Sequence, residues 1–371
     1  MKIVFILETI DAPRMMKRIL EFIDKKYEVE VYGFKHFREK ALSAPSDYTI
    51  NVIGEINKAS YWLRIKTIIR GIRKVLKETQ GQDVLYYIPN VDVAMFFRLL
   101  SSADYVYEES DLKHTYVNSK FVQGILERIV KRIIRKSVVS AFTSEGFVKY
   151  HFGNTPPANI CYVFNRLNAK ILELPILNKR EIDVNNIKFA YVGKANFKSL
   201  YEFAKVVTEK YPQHEMHFYG TTDVRKEAVV KELSTHSNFH LHGRFKNPDD
   251  LPEIYNNIDV VIALYDVDSV NVLYAEPNKL YEAVYFKKPI IVSSGTYLAE
   301  KVNRLGIGFD IDATDSANID TFISGLTEQK INKKVMNAEK IDRREAINDN
   351  PALFEFINDY TDKHKAGVSW K

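Results

Sequence analysis

The sequence lacks most of the local signatures that assign a chain to a class of enzyme. Its single cysteine, Cys161, excludes a disulfide framework and a cysteine-rich zinc site, and it favours a reducing compartment such as the cytoplasm. No G-x-G-x-x-G fingerprint stands between a strand-like and a helix-like run, and no phosphate-binding P-loop is present. No stretch reaches the roughly 18 uninterrupted apolar residues of a membrane span. Simple dehydrogenases, ATPases and membrane-spanning proteins are therefore disfavoured.

Length and composition indicate a globular protein with more than one core. The chain has 371 residues, of which 46% are hydrophobic and 27% charged, so two domains of ordinary size are expected. The first residues, MKIVFIL, are followed directly by acidic residues and by no small-residue cleavage pattern. They are predicted to form a β-strand and not a signal peptide.

Strand-like and helix-like runs alternate along the chain, which predicts an α/β fold with parallel sheets covered by helices. A first set of strands, from KIVFIL to VVSAFTS, precedes a polar stretch, and a second set, from IKFAYVG to PIIVSSG, follows it. We predict domains over 1–168 and 187–350 and a last helix within 351–371. Ligands of open α/β sheets bind beyond the carboxyl ends of the strands, so the candidate sites lie there.

The stretch YVGKANFKSL ends a predicted strand with Gly193 and places Lys194 and Lys198 in the turn before a helix. Backbone amides at a helix N-terminus, together with two ammonium groups, form a corner that suits a diphosphate. The alternative is that both lysines are solvated surface residues.

A second candidate lies in the stretch EPNKLYEAVYFKKPIIVSSG. Glu282 is positioned to accept the hydroxyls of a ribose, and Lys279, one helical turn earlier, to face phosphate. The alternative is an acid that only stabilises a helix start, and this alternative is preferred for Glu276. The turns FYG and HGRF, with Gly220 and Gly243 at their strand ends, offer backbone groups to a base.

Two helix-like stretches concentrate positive charge. Residues 61–78 and 120–136 each carry six cations, and residues 1–150 hold 25 Lys and Arg against 18 Asp and Glu. Such helices bind anionic lipid, bind nucleic acid or simply cover a sheet with solvated lysines outside.

These motifs, in this order, resemble those of GT-B glycosyltransferases, particularly family 4-like enzymes that build bacterial capsular and other surface polysaccharides. The resemblance is strongest over 187–309. It implies two facing Rossmann-like domains and a C-terminal helix that crosses back to the first. It also implies a nucleotide sugar, with UDP as the expected nucleotide, held mainly by the second domain, and no metal or other cofactor. The match implies that Lys194 and Lys198 are catalytic residues on the donor diphosphate, that Glu282 binds the ribose and that Gly243 with Arg244 contacts the base. Gly193, Gly220, Lys279 and Leu280 complete the predicted donor-binding set.

The sequence departs from the family pattern at two points. Tyr274 stands near the place of a first glutamate that contacts the transferred sugar, with Glu276 displaced from it. The turn from Gly193 to Lys198 is one residue short, and Lys194 replaces an arginine, so a point charge stands where the family has a planar fork.

The resulting hypothesis is a metal-independent glycosyltransferase, retaining in stereochemistry, that uses a UDP-sugar and a saccharide or lipid-linked acceptor. Asp111 or Glu145 in the first domain is predicted to orient the acceptor, with helix N-capping by Asp111 and Ser144 as the alternative. The protein is expected to lie on the anionic inner membrane surface through 61–78 and 120–136. The other hypotheses are a GT-B sugar-nucleotide epimerase and, less favoured, a nucleic-acid-binding protein; the Asp-Val-Asp at 266–268 leaves a metal-dependent transferase open.

Overall fold

The computed structural model describes the following residues: 1–10, 12–36, 48–56, 60–176 and 181–368. The chain divides into two compact units. Unit 1 consists of Met1–Val163 together with Asn350–Lys371, and unit 2 consists of Phe164–Asp349.

Unit 1 is built on a parallel sheet of seven strands. These are β1 (Lys2–Leu7), β2 (Val29–His36), β3 (Ile50–Ile56), β4 (Val84–Ile88), β5 (Tyr105–Glu109), β6 (Val139–Phe142) and β7 (Ile160–Tyr162). Their order across the sheet is β3-β2-β1-β4-β5-β6-β7, with every adjacent pair parallel. The strand order reverses beside β1, as it does in doubly wound nucleotide-binding folds.

The α-helices that the described residues form between these strands are α1 (Pro13–Asp24), α2 (Tyr61–Glu78), α3 (Val91–Leu100), α4 (Lys120–Lys136) and α5 (Glu145–Phe152). A short 3-10 turn, Lys113–Tyr116, follows β5. Helix α2 begins at a serine cap, since Ser60 accepts a hydrogen bond from the Leu63 amide. It then approaches β2 so closely that a Cβ on Gly71 would lie 2.6 Å from the Phe34 ring. Helix α3 packs against both α2 and α4.

Unit 2 repeats this architecture with six parallel strands in the order β10-β9-β8-β11-β12-β13. The strands are β8 (Lys188–Val192), β9 (Glu215–Tyr219), β10 (Phe239–Gly243), β11 (Val260–Ala263), β12 (Ile290–Ser293) and β13 (Gly308–Ile311). The helices are α6 (Lys198–Lys210), α7 (Glu227–Leu233), α8 (Leu251–Asn256), α9 (Val270–Tyr274), α10 (Asn278–Phe286), α11 (Tyr297–Leu305), α12 (Ser316–Ser324) and α13 (Glu328–Glu339). Three 3-10 turns are Ala169–Glu173, Val224–Lys226 and Arg343–Ala346.

Strand β13 was not predicted, because its sequence, GFDI, is short and contains an aspartate. It pairs with β12 over four residues, from Gly308 opposite Ile290 to Ile311 opposite Ser293. A Cβ on Gly308 would lie 2.1 Å from the Ile290 carbonyl oxygen, so the close approach of the two backbones requires glycine there.

The last helix, α14 (Pro351–Lys365), belongs to unit 1 although it follows unit 2 in sequence. It packs on β6 and β7, and Phe354 contacts the Phe22 ring with centroids 4.9 Å apart. Asn350, in the left-handed region at φ 43°, donates a hydrogen bond to Glu21 and starts the helix. The predicted return of the C-terminal helix to the first domain is confirmed. No helix in the described part of the chain is long and apolar enough to cross a membrane.

Candidate functional site

Three glycines lie together at the carboxyl edge of the unit 2 sheet. Gly193 follows β8, Gly220 follows β9 and Gly243 ends β10, all with positive φ values of 137°, 120° and 78°. The Gly193 amide donates to Tyr219, and the Gly220 amide donates to the Gly243 carbonyl. A Cβ on Gly220 would lie 2.1 Å from the Gly193 carbonyl oxygen. The three predicted turns therefore lie side by side and are joined by backbone hydrogen bonds.

The ammonium group of Lys279 lies against this surface. Lys279 is the second residue of α10, and its side chain is 8% exposed. Its Nζ stands 4.0 Å from the centroid of Tyr191 and 3.5 Å from the hydroxyl oxygen of Tyr265. A Cβ on Gly193 would come within 3.2 Å of the same Nζ. No ion pair with a carboxylate is formed by Lys279 among the residues that the structure describes.

A buried cation without a carboxylate partner is a costly arrangement in a folded protein. The aromatic faces of Tyr191 and Tyr265 offset part of the desolvation, since cation–π contacts contribute about 0.5–2 kcal/mol. An anion bound beside Gly193 would supply the missing negative charge. Burial raises the pKa of Tyr265 above its ordinary range, so the phenol is neutral at pH 7 and does not serve as the counter-ion.

Glu282 lies one helical turn after Lys279, on the same side of α10. It is buried, and one carboxylate oxygen accepts a hydrogen bond of 2.5 Å from the Tyr255 hydroxyl. Burial, and then Glu282 itself, raise the pKa of Tyr255, which keeps this phenol a donor. The sequence placed Glu282 at a helix start, whereas it lies in the middle of α10 and is oriented by a tyrosine from α8.

Lys194 and Lys198 are both exposed at the end of β8 and the start of α6. The first two backbone amides of α6, however, already donate hydrogen bonds within the protein. The Lys198 and Ser199 amides donate to the Asp266 carboxylate, at 2.9 and 2.8 Å. The Asp266 carboxylate thus caps the first two amides of α6, while the two ammonium groups lie at the surface.

Two further predicted donor residues differ in exposure. Arg244 is exposed directly after Gly243, where its guanidinium is accessible beside the glycine turns. Leu280 is 1% exposed and packs in the hydrophobic core of unit 2, because the face of α10 that carries it covers the sheet. Its side chain therefore fixes α10 and does not contact solvent.

Glu276 is neutralised inside unit 2. Its carboxylate accepts 2.6 Å from Lys301 Nζ and 2.7 Å from the Tyr281 hydroxyl, and its carbonyl accepts from Asn165. Glu276 lies two residues before the first residue of α10, and its carboxylate is held by Lys301 and Tyr281. Tyr274 ends the short helix α9 just before it.

The carboxyl edge of the unit 1 sheet carries a different set of charges, which the sequence did not single out. Glu8 follows β1, Asp92 lies in the first turn of α3 after β4, and Lys113 follows β5. Arg64 binds Glu8 at 2.7 Å and also binds Asp92, while Lys113 binds the second oxygen of Glu8. Burial, and then Glu8, raise the pKa of Asp92. These two acids and two bases neutralise one another.

Beside them lie the predicted acceptor residues. Asp111 follows β5 by two residues, and Glu145 is the first residue of α5. Ser144 caps α5, as the capping alternative predicted, because its side chain accepts a hydrogen bond from the Gly146 amide at 3.0 Å. The N-cap position of the 3-10 turn Lys113–Tyr116 is occupied by Leu112 and not by Asp111.

A buried histidine pair extends this region of unit 1. His151 Nε2 bonds a Glu109 oxygen at 2.9 Å, and the His114 ring stacks on His151 at 5.3 Å. His114 Nε2 has no partner in the described part of the chain, and burial lowers the pKa of His114.

The missed residues share a signal that could have been used. Glu8, Asp92 and Lys113 all stand within a few residues of the carboxyl end of a predicted strand, where ligands of parallel sheets bind. Their mutual pairing has no such signal, because the partners are far apart in sequence.

Two parallel-sheet Rossmann-like domains, of seven and six strands, and a C-terminal helix on the first define a GT-B fold, as in solved glycosyltransferases. Sucrose-phosphate synthase from Thermosynechococcus elongatus matches with a TM-score of 0.70 and 13% identity over 99% of this chain and 100% of that one.

Two further solved structures match over nearly the whole chain. HepE of Anabaena, solved with UDP and glucose, has a TM-score of 0.65 and 15% identity over 98% of this chain and 99% of that one. The lipopolysaccharide outer core galactosyltransferase WaaB has a TM-score of 0.61 and 17% identity over 96% of this chain and 98% of that one. No family model matches the sequence, and no curated protein matches it.

Proposed function

We propose that this protein is a glycosyltransferase that transfers a sugar from a nucleotide sugar, with UDP as the nucleotide, to a saccharide or lipid-linked acceptor. The observation that carries the proposal is the buried Lys279 ammonium, held without a carboxylate partner against the Gly193 turn. HepE, which matches over nearly the whole chain, was solved with UDP and with UDP-glucose. We further propose that the acceptor belongs to a bacterial surface polysaccharide and that the anomeric configuration is retained.

In this proposal the diphosphate lies over the three glycine turns. Lys279 binds it from the protein side, and Lys194 and Lys198 bind it from the solvent side. Each charge-assisted hydrogen bond contributes about 1.5–3 kcal/mol. Negative charge develops on the diphosphate as the sugar leaves, so three fixed cations stabilise the transition state more than the ground state, and no metal ion is needed for that charge.

The nucleoside is assigned to the neighbouring groups. Glu282, oriented by Tyr255, accepts hydrogen bonds from the ribose hydroxyls, and the turn at Gly243 and Arg244 contacts the base. Glu276 is held by Lys301 and does not contact the transferred sugar. Asp111 or Glu145 of unit 1 orients the acceptor hydroxyl.

Titration calorimetry with UDP tests the donor site. Glu282→Gln removes the charge and keeps the shape, so UDP affinity is expected to fall by about tenfold or more, since a hydrogen bond to a charged group contributes about 1.5–3 kcal/mol. Glu232→Gln, at an exposed acid of α7, is the control and is expected to bind as the unchanged protein does. Equal UDP affinity in a folded Glu282→Gln protein would remove this assignment.

Incubation with a UDP-sugar alone distinguishes transfer from epimerisation. A transferase leaves the sugar configuration unchanged and at most hydrolyses the donor slowly. Conversion of the UDP-sugar into its epimer without an acceptor would replace the proposal by the epimerase hypothesis.

We also propose that unit 1 docks on an anionic membrane surface through α2 and α4, which places the enzyme on the cytoplasmic face. The C-terminal parts of both helices cover the sheet through Ile72, Val75, Val130 and Ile133, but their N-terminal parts do not. Trp62 is 77% exposed and Phe121 is 80% exposed, with exposed apolar neighbours on each helix. Aromatic tips flanked by cations suit the interface of an anionic bilayer.

The cations available for lipid are fewer than the sequence indicated. Arg64 is committed to Glu8 and Asp92, and Lys131 binds Glu127 at 2.6 Å, so replacing either would disturb other contacts. Arg70, Arg73, Arg128 and Arg132 are exposed and are the better probes.

Cosedimentation with vesicles of anionic and of neutral phospholipid tests the docking. Replacing these four arginines by Gln is expected to weaken binding to anionic vesicles strongly, since each cation near such a surface contributes about 1 kcal/mol. A variant with the same number of exposed lysines of unit 2 replaced is the control. Binding that ignores lipid charge, or that survives the four replacements, would contradict the proposal.

A further inference from the structure

One face of the edge of the unit 2 sheet carries a cluster of imidazoles around a carboxylate. Glu215 and His217 stand two residues apart on β9, and His240 and His242 two residues apart on β10. His240 pairs with His217 in the strand register, and alternate residues of a strand share a face. The four side chains therefore meet on the same side of the sheet.

The nitrogen and oxygen atoms of this cluster converge. His217 Nε2 lies 2.9 Å and His240 Nε2 lies 3.4 Å from the same Glu215 oxygen. One ligand atom from each of the three residues fits within 4.8 Å of the others. Ligand atoms bound to one tetrahedral zinc ion at about 2.0–2.2 Å stand about 3.4 Å apart, so the three atoms need only small adjustments to share an ion.

We propose that Glu215, His217 and His240 bind a divalent transition ion of the zinc class, with a water molecule as the fourth ligand. Two imidazoles and one carboxylate form a ligand set typical of such ions. The site lies on different residues from the proposed donor site and does not depend on it.

His242 is assigned a positioning role. Its Nε2 lies 2.9 Å from His217 Nδ1, and its ring stacks on Tyr219 with centroids 4.0 Å apart. When His217 binds the ion through Nε2, its single ring proton resides on Nδ1 and is donated to His242. Such a hydrogen bond on the second nitrogen fixes the ring of a metal-bound histidine.

The charges around the cluster agree with this assignment. Lys188 Nζ lies 3.3 Å from the same Glu215 oxygen, and a bound ion would displace this partly exposed ammonium toward solvent. The ion would then join Glu215 and His217 of β9 to His240 of the edge strand β10, which fixes β10 on β9.

Metal binding to protein carrying no polyhistidine tag tests the proposal directly. After treatment with a chelator, Zn²⁺ is titrated against a chromogenic competitor, and Co²⁺ is titrated by its visible absorption. One ion per chain is expected, with a rise in melting temperature on binding. His240→Ala, on the exposed edge strand, and Glu215→Gln, which keeps the shape, are both expected to lose stoichiometric binding.

The positioning residue and a control complete the set. His242→Ala is expected to bind about 10- to 100-fold more weakly, the usual effect of losing the partner of a metal-bound histidine. His236→Ala, four residues before His240 and outside the cluster, is expected to bind like the unchanged protein. Absence of stoichiometric binding by the unchanged protein, or equal affinity in folded His240→Ala and Glu215→Gln proteins, would mean that the cluster is only a hydrogen-bonded ladder.

Discussion

The carboxyl edges of the two sheets hold buried or half-buried charges in opposite states. In unit 1, Glu8 and Asp92 are matched by Arg64 and Lys113. In unit 2, Lys279 stands against the Gly193 turn with two tyrosine rings and no ion-paired carboxylate among the described residues. A matched set of charges fixes the shape of an edge, whereas an unmatched one attracts a ligand of the opposite sign. The difference points to unit 2 as the half that binds the anionic donor.

The strongest test of the difference between matched and unmatched charges removes a matched cation, at the buried Glu276–Lys301 pair that unit 2 also contains. Lys301→Met leaves the fully buried Glu276 carboxylate without its cation, so the free energy of unfolding is expected to fall by about 3–5 kcal/mol, the usual cost of breaking a buried pair. Urea denaturation measures it. Lys210→Met, at the exposed pair with Asp320, is the control and is expected to cost at most about 1 kcal/mol. Similar losses in the two variants would contradict the distinction.

Removing the unmatched charge is expected to do the reverse. Lys279→Met takes away a buried cation without a counter-ion, so the unfolding free energy should not decrease. UDP affinity should fall by about 10- to 100-fold, the equivalent of one charge-assisted hydrogen bond. Urea denaturation and calorimetry on the same preparation separate the two effects. A Lys279→Met protein that is less stable but binds UDP normally would make Lys279 a structural residue.

Unit 1 contains both states in one histidine pair: His151 is paired with Glu109, whereas His114 Nε2 has no hydrogen-bond partner among the residues that the structure describes. Because burial lowers the pKa of His114, the unfolded chain binds this proton more readily than the folded protein does. Above the ordinary pKa of about 6.5, neutral His114 makes its full contribution to the free energy of unfolding. This contribution is lost as the pH falls below about 6.5, by at most about 1.4 kcal/mol per pH unit.

His114→Gln is therefore expected to flatten the decline of the unfolding free energy between about pH 7.5 and about pH 5.5. His236→Gln, at a partly exposed histidine, should keep the original slope. The same slope in the His114→Gln and unchanged proteins would show that His114 is not protonated on unfolding in this range.

The smallest expected effect concerns the cap of α6. Asp266→Ala should lower the unfolding free energy by about 1 kcal/mol, as the loss of a helix cap does. It should also tighten UDP binding, because it removes a negative charge near Lys198 and releases two backbone amides. Asp315→Ala, which removes the cap of α12, is the control for stability alone. Weaker UDP binding by Asp266→Ala would mean that Asp266 positions Lys198 for the ligand.

Much of the fold followed from local patterns. Runs such as KIVFIL and IKFAYVG are too apolar and too short for surface helices, and their alternation with amphipathic helices left the parallel α/β sheet as the consistent arrangement. The strand β13 was missed because four residues, with the buried positions Gly308 and Ile311 three apart, show no two-residue alternation. The glycine turns at 193, 220 and 243 were also predicted, since polar turns after buried strands have few alternatives.

By itself, the sequence determined which residues reach the carboxyl edge of each sheet, because the two-residue period of strands and the position of glycine are local properties. Only the tertiary structure decided which of those residues are neutralised. Lys198 and Ser199 meet Asp266 across 68 and 67 positions, and Glu276 meets Lys301 across 25. Glu276 and Lys279 are three residues apart in sequence. Glu276 is paired with Lys301, whereas Lys279 has no ion-paired carboxylate among the described residues. The electrostatic state of a buried group depends on what packs around it, and that is set by contacts between distant parts of the chain.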